Sequence, residues 1–189
     1  MSDILIKKFK WHWAWQDEDE EQWLQQMAAQ GLHLKAANVF GIYTFIKGAP
    51  ADMVYRLDYV SGLSFAYLKS FARDPHYQQL MNDASWEHVI EVNGWQFWRK
   101  AIVKGQIPEI FTDAESKIAK YKRVMGIALV SSLGLLPLAF HPETAIRMWE
   151  EGTVSGRFFS VLPVVLVMLF VYAVIKLGLR IRALRNKPQ

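Results

Sequence analysis

Apolar positions in the first hundred residues recur at two spacings, two and about 3.6, and the switches between them mark the elements. In KFKWHWAW the aromatics at 9, 11, 13 and 15 alternate with Lys8, Lys10, His12 and Ala14, the signature of a half-buried strand. Asp17 followed by Glu20 matches an Asp form of the capping box and opens a helix with acids through its first turn. Trp23, Leu24, Met27 and Ala28 give that helix its apolar stripe, and Gly31 suits the position just past its end. Residues 32–37 and 42–47 read as two strands around Asn38 and Gly41. After a turn at Gly48–Pro50, residues 53–60 alternate Tyr55, Leu57 and Tyr59 against Arg56 and Asp58. Residues 64–84 are helical in pattern, with a break near Asp74–Pro75. Residues 86–92 are a strand, Asn93-Gly94 is a strong hairpin signal, and WQFWRKA closes the pair.

The same order of elements has now appeared twice. Placing Met27 on Met81 aligns Gly31 with Ser85, Leu32 with Trp86 and, after one gap, Gly41 with Gly94. Two βαββ units, about 9–47 and 53–100, are expected to share one antiparallel-type sheet with helices on one face. They make an α+β domain of residues 1–112.

Beyond this domain the pattern loses its polar half. Val124–Phe140 and Phe158–Ile175 are runs of 17 and 18 residues without a charge. Each covers roughly 26 Å as a helix, slightly short of a hydrocarbon core of about 30 Å. Leu177 and Leu179 extend the second run, and Lys176 can snorkel towards head groups. A buried hairpin in a soluble protein is the alternative, but a core helix rarely lacks charge on all its faces. The expected order is a basic juxtamembrane helix (113–123), a span (124–140), a short external loop (141–157), a second span (158–178) and a basic tail (179–189). In the loop, Thr144 is expected to cap a short helix whose Ile146, Met148 and Trp149 rest at the interface. Ala128 and Ser132, four apart, suit close approach of another helix.

Charge sharpens the topology. The whole chain carries +4, which taken alone points to an anionic partner. Residues 1–113, however, carry a net −3, while 114–123 carry +3 and 176–189 hold five bases and no acid. The surplus sits beside the apolar runs, so it speaks of membrane orientation and argues against nucleic acid, despite the mixed bases and aromatics of KKFKWHW. Both termini are expected in the cytoplasm, with the tail against anionic lipid. Zero cysteines exclude a disulfide framework, a thiolate metal site and a thiol nucleophile.

No motif with a mechanism behind it is present: no phosphate loop, no His-Glu-x-x-His, no nucleophile elbow. No catalytic, metal or cofactor residues are therefore assigned. His12 falls on the strand face opposite the tryptophans and reads as solvated or sheet-covering. His33 and His88 begin strands in the two repeats and would meet only if these pack pseudosymmetrically. The acidic run Asp17–Glu21 can be read as a cation site or as a dipole-stabilised helix start, and the latter explains it better. Arg56 and Asp58 share a strand face and are expected to pair. The aromatic set reads as core before ligand platform, although Trp98 faces away from Trp95 and Phe97, which leaves one of those faces open.

The strings FKWHWAWQDEDEEQWLQQMAAQGLHL, GIYTFIKGAPADMVYRLDY, GWQFWRK and EIFTDAESKIAKYKR resemble the DUF2812 family of bacterial membrane proteins over about 9–123 and both following spans. Ser85-Trp86 departs from the Gly-Trp expected there. The resemblance implies no reaction. Its members are often encoded beside PadR-like transcriptional regulators, which implies a regulatory or envelope-response role. The reading that results is a two-pass protein of the bacterial inner membrane, not an enzyme, whose cytoplasmic domain engages a protein partner such as a PadR-like regulator or a membrane protein. The alternatives are a membrane-bound enzyme acting on lipid or peptide, with Asp58, His33 or His88 as acid–base candidates, and a resistance or immunity factor working through its spans.

Overall fold

The computed structural model describes residues 4–60, 75–103, 107–111, 114–140, 142–150 and 154–186. The chain divides into two compact units, Met1–Arg123 and Val124–Gln189. In the first, β1 (Leu5–Phe9), α1 (Asp17–Ala29), β2 (Leu32–Ala37) and β3 (Ile42–Lys47) are followed by β4 (Met53–Tyr59), α2 (Pro75–Asp83), β5 (Glu87–Val92) and β6 (Trp95–Ala101). The unit closes on the first ten residues of α3 (Ala114–Ala139).

The βαββ repeat is present, and the fold is α+β as expected. Each repeat builds its own antiparallel sheet, with strand order β1-β3-β2 in one and β4-β6-β5 in the other, so the single shared sheet expected from the pattern is two. The edge strands β2 and β5 come into contact without forming a ladder. The correspondence extends to irregularities. The β2 ladder skips Lys35 and the β5 ladder skips Val89, and aligning Leu32 with Trp86 superposes those two residues. Gly31 (φ 77°) and its counterpart Ser85 (φ 60°) are both left-handed at the ends of their helices. At Asn93-Gly94 both residues have positive φ, the geometry that a tight primed hairpin turn requires.

The core sits between α1 and the two sheets. Trp23, Leu24, Met27 and Ala28 of α1 pack with Leu32, Leu34, Tyr43 and Phe45 of the first sheet and Tyr55, Leu57 and Phe97 of the second. Val54 and Trp98 point to the other face of β4-β6 and meet Met81 of α2 together with Trp86. Both faces of β6 are therefore buried, and neither Trp98 nor Phe97 is left for solvent. The remainder of the expected 64–84 helix, residues 64–74, lies outside the described residues.

The second unit comprises the rest of α3, α4 (Pro142–Glu150) and α5 (Val154–Arg185). The α3 and α5 helices are long and apolar enough to cross a membrane, with mean hydropathies of 1.4 and 2.8 over their most apolar stretches. Only 17% and 6% of those stretches is buried, whereas a core hairpin would be mostly buried. Phe158, Phe159, Val165, Met168 and Ile175 are exposed along α5. Ala128 and Ser132 are buried on α3, and Ala173, Leu177 and Ile181 make a buried stripe at fourfold spacing on α5. The short loop helix is present, but it begins at Pro142 rather than being capped by Thr144, because a proline suits the first helical turn. Ile146 and Trp149 are exposed on it, and Arg157 places its guanidinium 5.5 Å from the Trp149 ring.

Candidate functional site

The aromatic alternation of KFKWHWAW does not continue as a strand. The β1–β3 ladder stops at Phe9, with a last bond from Lys10 N–H to Gly41 O at 2.9 Å. The chain then turns, as Gln16 N–H donates to Trp13 O at 2.8 Å and Trp13 N–H to Gln16 Oε1 at 3.0 Å. Freed from the pleat, the alternating residues fall the opposite way from the strand expectation. Trp11 and Trp13 are 47% and 37% exposed, Trp13 stacks on Trp15 at 5.3 Å, and the His12 side chain is only 4% exposed. His12 packs 5.7 Å from the Trp23 ring and edge-on to Tyr43.

His12 ends a short polar chain. The Tyr43 hydroxyl donates to Glu20 Oε1 at 2.6 Å, His12 Nδ1 lies 3.3 Å from that hydroxyl, and Nδ1 is 4.0 Å from Glu20 Oε2. His12 Nε2 is buried and has no partner among the described residues. Burial, aided by Lys10, lowers the His12 pKa from 6.5 to about 4. Burial also raises Glu20 from 4.5 to about 7, against the opposing Tyr43 hydrogen bond, and pushes the Tyr43 hydroxyl up. Above these groups lies a cleft of about 220 Å³ walled by Trp11, Trp13 and Trp95. A partly open, aromatic cleft with a few convergent polar groups has the make-up of a binding site. Of its functional groups the sequence pointed to the acidic run, to the aromatic set and to His12, the last expected to be solvated or sheet-covering; Tyr43 carries no signal beyond strand alternation.

The other acids of that run are engaged within the protein. Asp17 is not the N-cap residue of α1, a position held by Gln16. It is the first residue of α1, after an uncapped Gln16, and its buried carboxylate takes Lys120 Nζ at 2.6 Å and the Tyr121 hydroxyl at 3.1 Å. Glu21 accepts Leu57 N–H at 2.7 Å and Arg56 at 3.4 Å, and burial raises it to about 7. Arg56 also donates to Glu109 at 2.7 Å, so it does not pair with Asp58 as expected. Asp58 instead accepts from Tyr77 at 3.0 Å and Arg123 at 3.1 Å. His33 Nε2 lies 2.9 Å from Ala49 O, and His88 Nε2 lies 2.8 Å from Gln96 Oε1. The three acid–base candidates thus occupy three separate structural contacts, away from the cleft. Among the described residues, no three His, Asp or Glu side chains gather to hold a metal ion.

A family model described as a protein of unknown function (DUF2812) matches residues 16–133. The chain belongs to this family. No curated protein and no solved structure matches it. The DUF2812 match begins at Gln16 and ends within α3, so it takes in Glu20, Tyr43 and Trp95 and leaves Trp11, His12 and Trp13 outside.

Proposed function

We propose that this DUF2812 protein is a membrane-anchored binding module whose first unit recognises a protein partner through the cleft between Trp11, Trp13 and Trp95. The observation that carries this reading is the pair of exposed indoles beside a partly open cleft with a buried polar floor. Exposed tryptophans that cluster over a pocket are typical anchors of binding hot spots. Phe9, Val39, Phe40 and Ile42, exposed at the adjoining end of the first sheet, enlarge the apolar surface a partner would cover.

In this reading α3 and α5 cross the plasma membrane of a bacterial cell, both termini are cytoplasmic, and the role is regulatory rather than catalytic. Capture of partners by the full-length chain, compared with a Trp11→Ala/Trp13→Ala variant, tests it. A partner retained by the first and lost by the second is expected. Identical partner sets, or none, would count against the cleft as a recognition surface.

One observation favours an enzyme as the second reading: a carboxyl with a pKa near neutrality, in a cleft, hydrogen-bonded to tyrosine, has the properties of a general acid–base. Turnover of a lipid or peptide that vanishes in Glu20→Gln, with partner capture intact, would decide for it.

A further inference from the structure

The cleft floor is rich in acceptors and short of cations. Glu20 Oε1 holds the Tyr43 proton, and among the described residues no lysine or arginine nitrogen comes within 4.0 Å of either carboxylate oxygen. Lys10, the basic residue that acts on Glu20, places Nζ 5.0 Å from the Trp23 ring instead. A hydroxyl has one proton, so while ionised Glu20 takes the Tyr43 proton, the 3.3 Å contact must be donated by His12 Nδ1–H. That tautomer leaves Nε2 as a bare acceptor on a side chain 4% exposed, with no partner among the described residues. A buried acceptor without a donor is costly, and a ligand bringing an N–H would relieve it.

Above this floor stand the rings of Trp11, Trp13 and Trp95. Aromatic faces attract a cation through their quadrupole, and a carboxylate in a desolvated site strengthens that attraction with a charge-assisted hydrogen bond. A cavity of about 220 Å³ admits a single side chain rather than a folded segment. We propose that the cleft binds a basic side chain, the guanidinium or ammonium group of an arginine or lysine presented by the protein partner. The proposal rests on the binding-module reading and adds the chemistry of what is bound. Nε2 is closed to solvent. The half-exposed indoles of Trp11 and Trp13, on the irregular segment between β1 and α1, line the cleft, so their fluorescence reports entry of the cation.

The test uses the full-length chain in detergent micelles, titrated with N-acetyl-arginine amide, N-acetyl-lysine amide and the neutral isostere N-acetyl-citrulline amide, read by tryptophan fluorescence and calorimetry. At least one basic probe should bind with a fluorescence change and compete with the captured partner. Citrulline should bind roughly tenfold more weakly or worse. Glu20→Gln should lose a similar factor, and Lys10→Gln, which removes the internal competitor, should gain affinity. Equal binding of arginine and citrulline by the unaltered chain overturns the proposal without recourse to any variant. If Trp11→Ala/Trp13→Ala abolishes partner capture while the basic probes neither bind nor compete, the cation falls and the recognition surface stands. If partner capture survives that double substitution, the underlying reading fails as well.

Discussion

Lys120 Nζ lies 2.6 Å from Asp17 Oδ2, joining the first residue of α1 to α3 across 103 positions of sequence. Both side chains are buried; Lys120 Nζ also donates to Leu57 O at 3.1 Å, and the Tyr121 hydroxyl donates to the Asp17 carboxylate. Removing one member of a buried ion pair leaves the other charge uncompensated and costs about 3–5 kcal/mol, whereas replacing both by apolar groups of similar size is often near neutral. Lys120→Met should therefore lower the unfolding midpoint of the detergent-solubilised chain sharply. Asp17→Leu combined with Lys120→Met should recover much of the loss. A double loss equal to the sum of the two single losses, Asp17→Leu and Lys120→Met each measured alone, would show that the pair is not coupled.

The left-handed ends of the two helices give a second prediction with opposite signs at equivalent positions. A non-glycine residue in this conformation carries about 1–2 kcal/mol of strain. Ser85, at φ 60°, bears that strain, and Gly31, at φ 77°, avoids it. Ser85→Gly should stabilise the domain by about 1 kcal/mol. Gly31→Ala should destabilise it by more than that, because its Cβ would also sit 2.5 Å from Gly48 O. Denaturant midpoints of the two variants check both signs at once.

That contrast shows how far the sequence can be read. Strands 32–37, 42–47 and 95–101 emerge at the observed bounds because alternation and turn residues are local signals. The repeat is legible because Met27 and Met81, each buried one turn before a left-handed residue, hold its register. The candidate site was hidden for a different reason. Alternation at 9, 11, 13 and 15 matches a strand, yet the strand's partner, β3, begins only at Ile42, opposite Phe9, and leaves the later aromatics no ladder to join. Once the pleat ends, period two no longer assigns a face, so His12 turns in and the tryptophans turn out. Asp17 departs from its expected capping role for a similar cause: its partner is over a hundred residues away, whereas local spacing points to a cap.

The basic residues before the first apolar run bear on orientation differently than a simple count implies. Lys120 pairs with Asp17, Arg123 with Asp58 and Lys117 with Glu109, while Lys122 is exposed. Charges neutralised in the folded domain contribute little to attraction for anionic lipid, so the bases at 176, 180, 182, 185 and 187 should carry most of it. A reporter fused at the C-terminus that is active only in the cytoplasm should read positive. Replacing the five tail bases by glutamine should produce a mixed topology, while Lys122→Gln alone should not. An inactive reporter on the unaltered chain, with the fusion present in full length in the membrane, would overturn the proposed orientation.

His12 and Glu20 titrate in overlapping windows with opposite effects on stability. Glu20 is raised from 4.5 to about 7, so its contribution is full below pH 4.5 and is lost as pH rises through 7. Glu21 behaves in the same way. His12 is lowered from 6.5 to about 4, so its contribution is full above pH 6.5 and is lost as pH falls through 4. Each shift corresponds to about 3 kcal/mol at most. Glu20→Gln should therefore gain melting temperature relative to the unaltered chain as pH is raised from 4.5 to 7.5. His12→Gln should gain relative to it as pH is lowered from 6.5 to 4. The unaltered chain, with the His12 slope opposing two glutamate slopes, should show a shallower dependence than a variant with His12 replaced. Melting curves at half-unit pH intervals decide the matter: difference curves that are flat across these windows would mean that neither group is held in the protonation state its burial imposes.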